Sequence, residues 1–185
     1  MALVTTAGAA DADSYASLVE ATAYLTTARG VAAWAAAAND TLREQALRRA
    51  TTYLDNQYRG RWVGVRTNET QALAWPRIDG YRNTNGGFVQ PLYDLDDFQI
   101  DEDVVPQQVK NACMEAALLS LAGVSMEPRL ARGGAIKSEQ VGPLAVTHMD
   151  GASVLDRITV IEGLLRGLVK SMPGASSGTV ALVRA

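Results

Sequence analysis

Near its N-terminus the chain twice carries a Ser/Thr-x-x-Glu string ahead of apolar residues at helical spacing: Ser17 with Glu20, and Thr41 with Glu44. In such a capping box each side chain satisfies a backbone N–H of the other residue, answering donors that a helix start leaves unpaired. Leu18, Ala21, Leu25 and Ala28 follow the first box, and Gly30 supplies a stop. Behind the second, Leu47, Ala50, Leu54 and Tyr58 make the inward face of a longer helix reaching about Tyr58, while Arg43, Arg48, Arg49 and Asp55 face elsewhere. Between the two lies a short alanine-rich helix around Trp34, whose small neighbours suit a ring plugging a hole between helices. Abundant alanine with only 6% aromatic residues favours closely packed helices over a β-sandwich.

Later segments extend that pattern. Pro106 is placed as the first residue of a helix to about Ala122, with Asp101, Glu102 and Asp103 near its positive end and Val109, Ala112, Cys113, Ala116 and Leu119 inward. Ser153 caps a final helix with the stripe Val154, Ile158, Ile161, Leu165 and Leu168. Gly142-Pro143 breaks regular structure between two short strands, giving a hairpin over 136–148. The expected fold is mainly α: a small bundle of four to five helices with a short β-hairpin and extended arms. Residues 1–13 read as a flexible arm, 14–170 as one domain, and 171–185 as a C-terminal extension. Turn chemistry at 83–87 and six acids between Asp94 and Asp103 make 79–103 a long exposed loop.

Composition excludes several classes of function. The net charge of −3 gives no whole-molecule attraction to nucleic acid or membrane. No apolar run reaches the roughly 20 residues that span a bilayer, and the first residues lack the basic start and apolar centre of a signal peptide, so folding in the cytoplasm is expected. One cysteine, Cys113, permits neither an internal disulfide nor a multi-cysteine metal site, and reads as a buried core residue. His148, the sole histidine, has no cysteine or carboxylate cluster beside it. The acids from Asp94 to Asp103 lack the alternation and central glycine of a calcium loop. The glycine pairs at 86–87 and 133–134 lack the context of a phosphate loop. No cofactor, metal or catalytic constellation is expected.

What remains is the stretch from Tyr53 to Arg77, which holds Trp62 and Trp75 with Arg59, Arg61, Arg66 and Arg77. Between Asp40 and Arg82 eight arginines face five acids. Arginine beside aromatic rings is the composition of a single-strand binding surface, where bases stack and cations follow phosphate. It is equally the composition of a folded core joined to a protein–protein contact, since Tyr53, Leu54 and Tyr58 stand at helical spacing, Trp75-Pro76 suits a buried anchor, and arginine favours bidentate pairs across interfaces. Weighed residue by residue, the second reading leads.

The chain also resembles a phage-encoded family of DnaT-like single-stranded-DNA-binding proteins whose members sit among head-morphogenesis genes. The matching pieces are Ser14-Tyr15 with SLVEATAYL (17–25), the surroundings of Trp34, and ALRRATTYLD (46–55). They continue in RWVGVRTNETQALAWPR (61–77), VPQQVKNACMEAALLSL (105–121) and KSEQVGPLAVTH (137–148). The string G-x-R-T followed by QALAWPR is the most specific of them. Such proteins look like the head-to-tail connectors, or adaptors, of tailed phages. The resemblance implies a homo-oligomeric ring, a dodecamer, at the virion neck, bound to the portal protein on one side and to a stopper or tail-completion protein on the other. Double-stranded DNA passes through such a ring without specific binding during packaging and ejection. On this reading the interface candidates are Arg59, Arg61, Trp62, Arg66 and Arg77 on one face and Asp96, Asp97 and Asp101 on another. Val180, Leu182, Val183 and Arg184 form a portal-docking arm able to add a strand to a partner's sheet edge. The alternative is a single-stranded-DNA-binding protein of phage replication.

Overall fold

The computed structural model describes residues 2–28, 32–80, 91–124, 126, 138–141, 144–147 and 158–170. The described residues are mainly helical: α1 (Leu18–Ala28), α2 (Ala32–Ala36), α3 (Asp40–Tyr58), α4 (Gln107–Leu121) and α5 (Thr159–Leu164). Three antiparallel two-stranded sheets accompany them: β1 (Val65–Arg66) with β2 (Arg77–Ile78), β3 (Leu92–Tyr93) with β4 (Gln99–Ile100), and β5 (Ser138–Val141) with β6 (Leu144–Thr147). The β5–β6 register pairs Val141 with Leu144, antiparallel strands on either side of the expected Gly-Pro break, whose two residues lie outside the described ones.

The first capping box forms as its sequence requires. The Ser17 backbone N–H and hydroxyl both donate to Glu20 Oε2 at 2.8 Å, and Ser17 Oγ accepts from the Glu20 N–H at 3.2 Å. Across the helix interface Lys110 Nζ reaches Glu20 Oε1 at 2.8 Å, tying α1 to α4. Burial pushes the Glu20 carboxyl up, but Lys110 and the Ser17 hydrogen bonds outweigh it and leave the pKa below its ordinary value. The second box does not form. Asn39, in extended conformation, caps α3 by accepting from the Leu42 N–H at 3.0 Å, and Glu44 lies 3.8 Å from Arg48 instead. Asparagine caps a helix at least as well as threonine, and an N-cap two residues earlier adds a half-turn of helix.

The core is the seam between α3 and α4, closed by α1, α2 and α5. Leu47, Ala50 and Leu54 meet Ala112, Cys113 and Ala116, all with no exposed surface. Each leucine so buried contributes about 1.5–3 kcal/mol, and the small residues opposite let the helix axes approach. Thr51 Oγ1 and Cys113 Sγ are 3.3 Å apart across the seam. Trp34 is buried and donates from Nε1 to Thr22 Oγ1 at 3.3 Å, the plug expected of it.

Several expectations are corrected. Residues 2–13 are not a loose arm. Val4 and Asp13 exchange hydrogen bonds, Asp13 Oδ2 receives Arg48 Nε at 2.6 Å, and the Ala72 N–H donates to Ala9 O at 3.1 Å. The segment docks through Leu3, the Asp13 carboxylate and backbone hydrogen bonds, which helical periodicity does not report. Pro106 is the N-cap rather than the first residue of α4, and Leu119 is only half-buried. Residues 91–103 are not simply loop, since β3 and β4 pair within them. The last helix is one short α5, after which the chain turns at Gly167 (φ +88°) into an extended segment. Ile161, Leu165 and Leu168 are buried as expected, but Leu165 is the C-cap of α5 and Leu168 lies beyond it. Gly30, His148, Ser153 and Val154 lie outside the described residues.

Candidate interaction surface

From Arg59 to Arg77 the backbone leaves α3, makes an excursion and returns, and the side chains singled out in the sequence are what hold it. Trp62, Trp75 and Tyr58 are buried. Trp62 packs edge-to-face on Trp75 with centroids 5.7 Å apart, and Tyr58 lies 5.5 Å from Trp62. No ring of the three is free to receive a base. Among the described residues the indole N–H groups of Trp62 and Trp75 have no hydrogen-bond partner, a cost accepted in return for apolar packing.

Arg77 is a backbone clamp. Its guanidinium donates to Val63 O at 2.6 Å, Gly64 O at 2.6 Å and Ala74 O at 3.1 Å, closing the β1–β2 pair. Burial lowers its pKa, Arg66 adds to that, and Tyr15 and Asp55 oppose it. Gln71 clamps the tip of the excursion: Oε1 accepts from Asn68 N at 2.8 Å, while Nε2 donates to Leu73 O and Pro76 O. Gly64, at φ +63°, sits where a Cβ would lie 2.2 Å from Ile78 O. The G-x-R-T…QALAWPR string is therefore a folding unit.

That unit is anchored by Tyr15. Its hydroxyl donates to Asp55 Oδ1 and accepts from the Ala74 and Trp75 N–H groups at 3.1 and 3.3 Å, while Asp55 Oδ2 accepts from Ala74 N at 3.0 Å. Burial raises the Asp55 pKa despite the offsetting hydrogen bonds from Tyr15 and Ala74 and the charges of Arg77 and Arg59. Burial first, and Asp55 next, push the Tyr15 phenol well up.

Arg61 and Trp62 fasten the C-terminal part of the domain. Arg61 pairs with Glu162 at 3.2 Å, lies 5.2 Å from the centre of the Tyr58 ring, and exchanges backbone and side-chain hydrogen bonds with Lys170. Trp62 bridges Val169, and the Val63 N–H donates to Leu168 O at 3.1 Å. Arg61, Trp62 and Arg77 are thus occupied within the chain.

Arg59 and Arg66 are exposed on the flank of the excursion. With Arg48 and Arg77 they line a cleft of about 750 Å³ that also holds Asp13 and Asp55, four guanidiniums against two carboxylates. Val65 and Leu73 give it an apolar lining. Arg66 donates to Gln71 O at 2.9 Å, and neither Arg59 nor Arg66 has an ion pair among the described residues. The other expected face is the β3–β4 hairpin. Asp96, Asp97 and Asp101 are exposed on it, as are Tyr93, Leu95 and Phe98 at 51%, 64% and 70%. Among the described residues the two exposed aromatic side chains, Tyr93 and Phe98, therefore sit among acids, which repel phosphate. Sequence reasoning missed these exposed apolar residues, although Leu95 and Phe98 between aspartates are visible in it. Val180, Leu182, Val183 and Arg184 lie outside the described residues.

Among the described residues no group of three histidine, cysteine or acidic side chains is placed to hold a metal, and no helix is long and apolar enough to cross a membrane. Cys113 is fully buried, and burial pushes its thiol up to about 11. No curated protein and no solved structure matches the chain. The family model described as "Putative DnaT-like ssDNA binding protein" matches residues 1–185, the full length that carries the clamps and the cleft, and the chain belongs to that family.

Proposed function

We propose that the chain is a structural subunit of a tailed-phage virion: a head-to-tail adaptor forming a ring under the portal, with a stopper or tail-completion protein on its far side. The observation that carries this reading is the division of labour in the arginine–aromatic stretch. Tyr58, Trp62 and Trp75 are inside, holding the fold, and Arg59 and Arg66 are outside with no ion pair among the described residues, while a separate acidic hairpin exposes apolar side chains. A surface of that kind suits protein contact, where a few aromatic and arginine anchors carry most of the binding energy. The acidic hairpin also suits a conduit past which DNA must move without being held. The role is structural, without catalysis. Deleting the gene from the phage that encodes the chain is expected to leave filled heads and tails unjoined; intact particles of normal infectivity overturn the proposal.

A second reading, a single-stranded-DNA-binding protein of phage replication, is favoured by the family's description and by the four-arginine cleft. It predicts oligonucleotide binding that weakens steeply with salt and is lost on Arg59→Ala and Arg66→Ala. Absence of binding at low salt removes it.

A further inference from the structure

We infer that the arginine cleft of one copy of this chain receives the acidic β3–β4 hairpin of a second copy, in a head-to-tail contact. The inference deepens the assembly reading above and rests on it.

The cleft lining carries four arginines against two aspartates, an excess of positive charge that the described residues do not neutralise by ion pairs. Arg48 is paired with Asp13 at 2.6 Å, and Arg77 is occupied by three backbone carbonyls beside Asp55. Arg59, whose charge reaches Asp55 without forming an ion pair, and Arg66 remain, exposed and with no ion pair among the described residues, at the rim of a space with an apolar lining. An occupant should therefore be acidic at two or more points and apolar between them.

The hairpin has that composition and a shape fixed in advance. Asp94 Oδ1 accepts from the Asp96 and Phe98 N–H groups, both at 2.9 Å, and the Asp94 N–H donates to Phe98 O at 2.9 Å. Asp97 closes the tip in the left-handed region at φ 66°. Leu95 lies over Gly167, where a Cβ would come within 2.5 Å of Leu95 Cγ. The tip thus presents Asp96 and Asp97 between Leu95 and Phe98 with little conformational freedom left to lose, which favours binding.

Charge also selects the arrangement. A symmetric hairpin-to-hairpin contact sets acids against acids, and a cleft-to-cleft contact sets arginines against arginines; both are penalised. Only the cross pairing neutralises both faces. Because the two faces differ, each copy keeps one of each free after the first contact, and the contact repeats until a ring closes or a filament grows.

Two experiments on the full-length chain test this. In the first, association at low ionic strength is followed by sedimentation. Arg59→Glu with Arg66→Glu, and separately Asp96→Lys with Asp97→Lys, are each expected to weaken self-association by about 100-fold or more. Mixing the two variants restores it, since each then offers the face the other lacks. A mixture that stays dissociated, or single variants that associate like the unaltered chain, overturns the face assignment. In the second, light- and heavy-isotope chains carrying Arg59→Lys and Arg66→Lys are mixed and treated with a zero-length carbodiimide. Mixed-isotope cross-links from the substituted positions to Asp96 or Asp97 are expected even where association is weak; their absence overturns the inference. Particles that contain the chain in oligomeric form but yield no such cross-link leave the assembly reading standing and this face assignment refuted. A chain absent from particles refutes both.

Discussion

Tyr15→Phe removes one oxygen and no volume, yet it should be among the more costly conservative changes in the chain. The hydroxyl donates to Asp55 and accepts from the N–H groups of Ala74 and Trp75. Ala74 N keeps Asp55 Oδ2 at 3.0 Å, but the Trp75 N–H loses its partner inside the core. A hydrogen bond to a charged group is worth about 1.5–3 kcal/mol, and a buried unsatisfied N–H costs about 1–3 kcal/mol. The two share one oxygen and do not simply add, so we expect a loss of about 2–4 kcal/mol. With a urea m-value of about 2 kcal/mol/M, the unfolding midpoint moves down by about 1–2 M at unchanged m. Tyr53→Phe is the control: Tyr53 is half-buried with no hydrogen bond to its hydroxyl among the described residues, and surface changes of this kind fall within about 0.5 kcal/mol. Equal midpoints for the two variants would refute the claim that Tyr15 anchors the 72–77 segment.

Other outcomes follow from the same structure. Arg77→Lys should destabilise by about 2 kcal/mol or more in urea unfolding, because an ammonium cannot span the carbonyls of Val63, Gly64 and Ala74 at once. Gly64→Ala should cost more than about 2 kcal/mol in the same assay, since the position has φ +63° and a methyl there meets the Ile78 carbonyl. Glu20 has a lowered folded pKa, so the unfolded state binds the proton more readily as pH falls; its contribution is full above the unfolded value near 4.5 and disappears as pH drops through the folded value. Glu20→Gln should therefore flatten stability against pH below that point, read from urea midpoints. Cys113, buried and raised to about 11, should resist iodoacetamide at neutral pH in the folded chain and react once the chain is unfolded in urea.

The helices were legible because burial has a period. Leu47, Ala50, Leu54 and Tyr58 mark the inward face of α3, and Val109, Ala112, Cys113 and Ala116 that of α4, with no structure needed. Gly-Pro likewise located the β5–β6 connection. What periodicity cannot show is which loop meets which. Arg61 finds Glu162 across 101 positions of sequence, and Tyr15 finds Ala74 across 59. Residues 2–13 dock by backbone hydrogen bonds, the Asp13–Arg48 pair and Leu3, none of which leaves a periodic signal in the sequence. The candidate surface was half legible. Composition singled out the aromatic and arginine residues of this stretch, but it could not say that Arg61, Trp62 and Arg77 turn inward while Arg59 and Arg66 stay outside. That division depends on the excursion being closed by Arg77 and Gln71.

If the chain is a built-in part of a particle, as proposed above, its outer faces make protein contacts while the arginine–aromatic stretch holds the fold. Quantitative mass spectrometry of purified phage particles, with isotope-labelled reference peptides for this chain and for the portal protein, tests it most directly. An adaptor should be found at a fixed ratio to portal, constant between preparations and retained through salt washing. A chain absent from particles, or present at a trace level that washing removes, contradicts it.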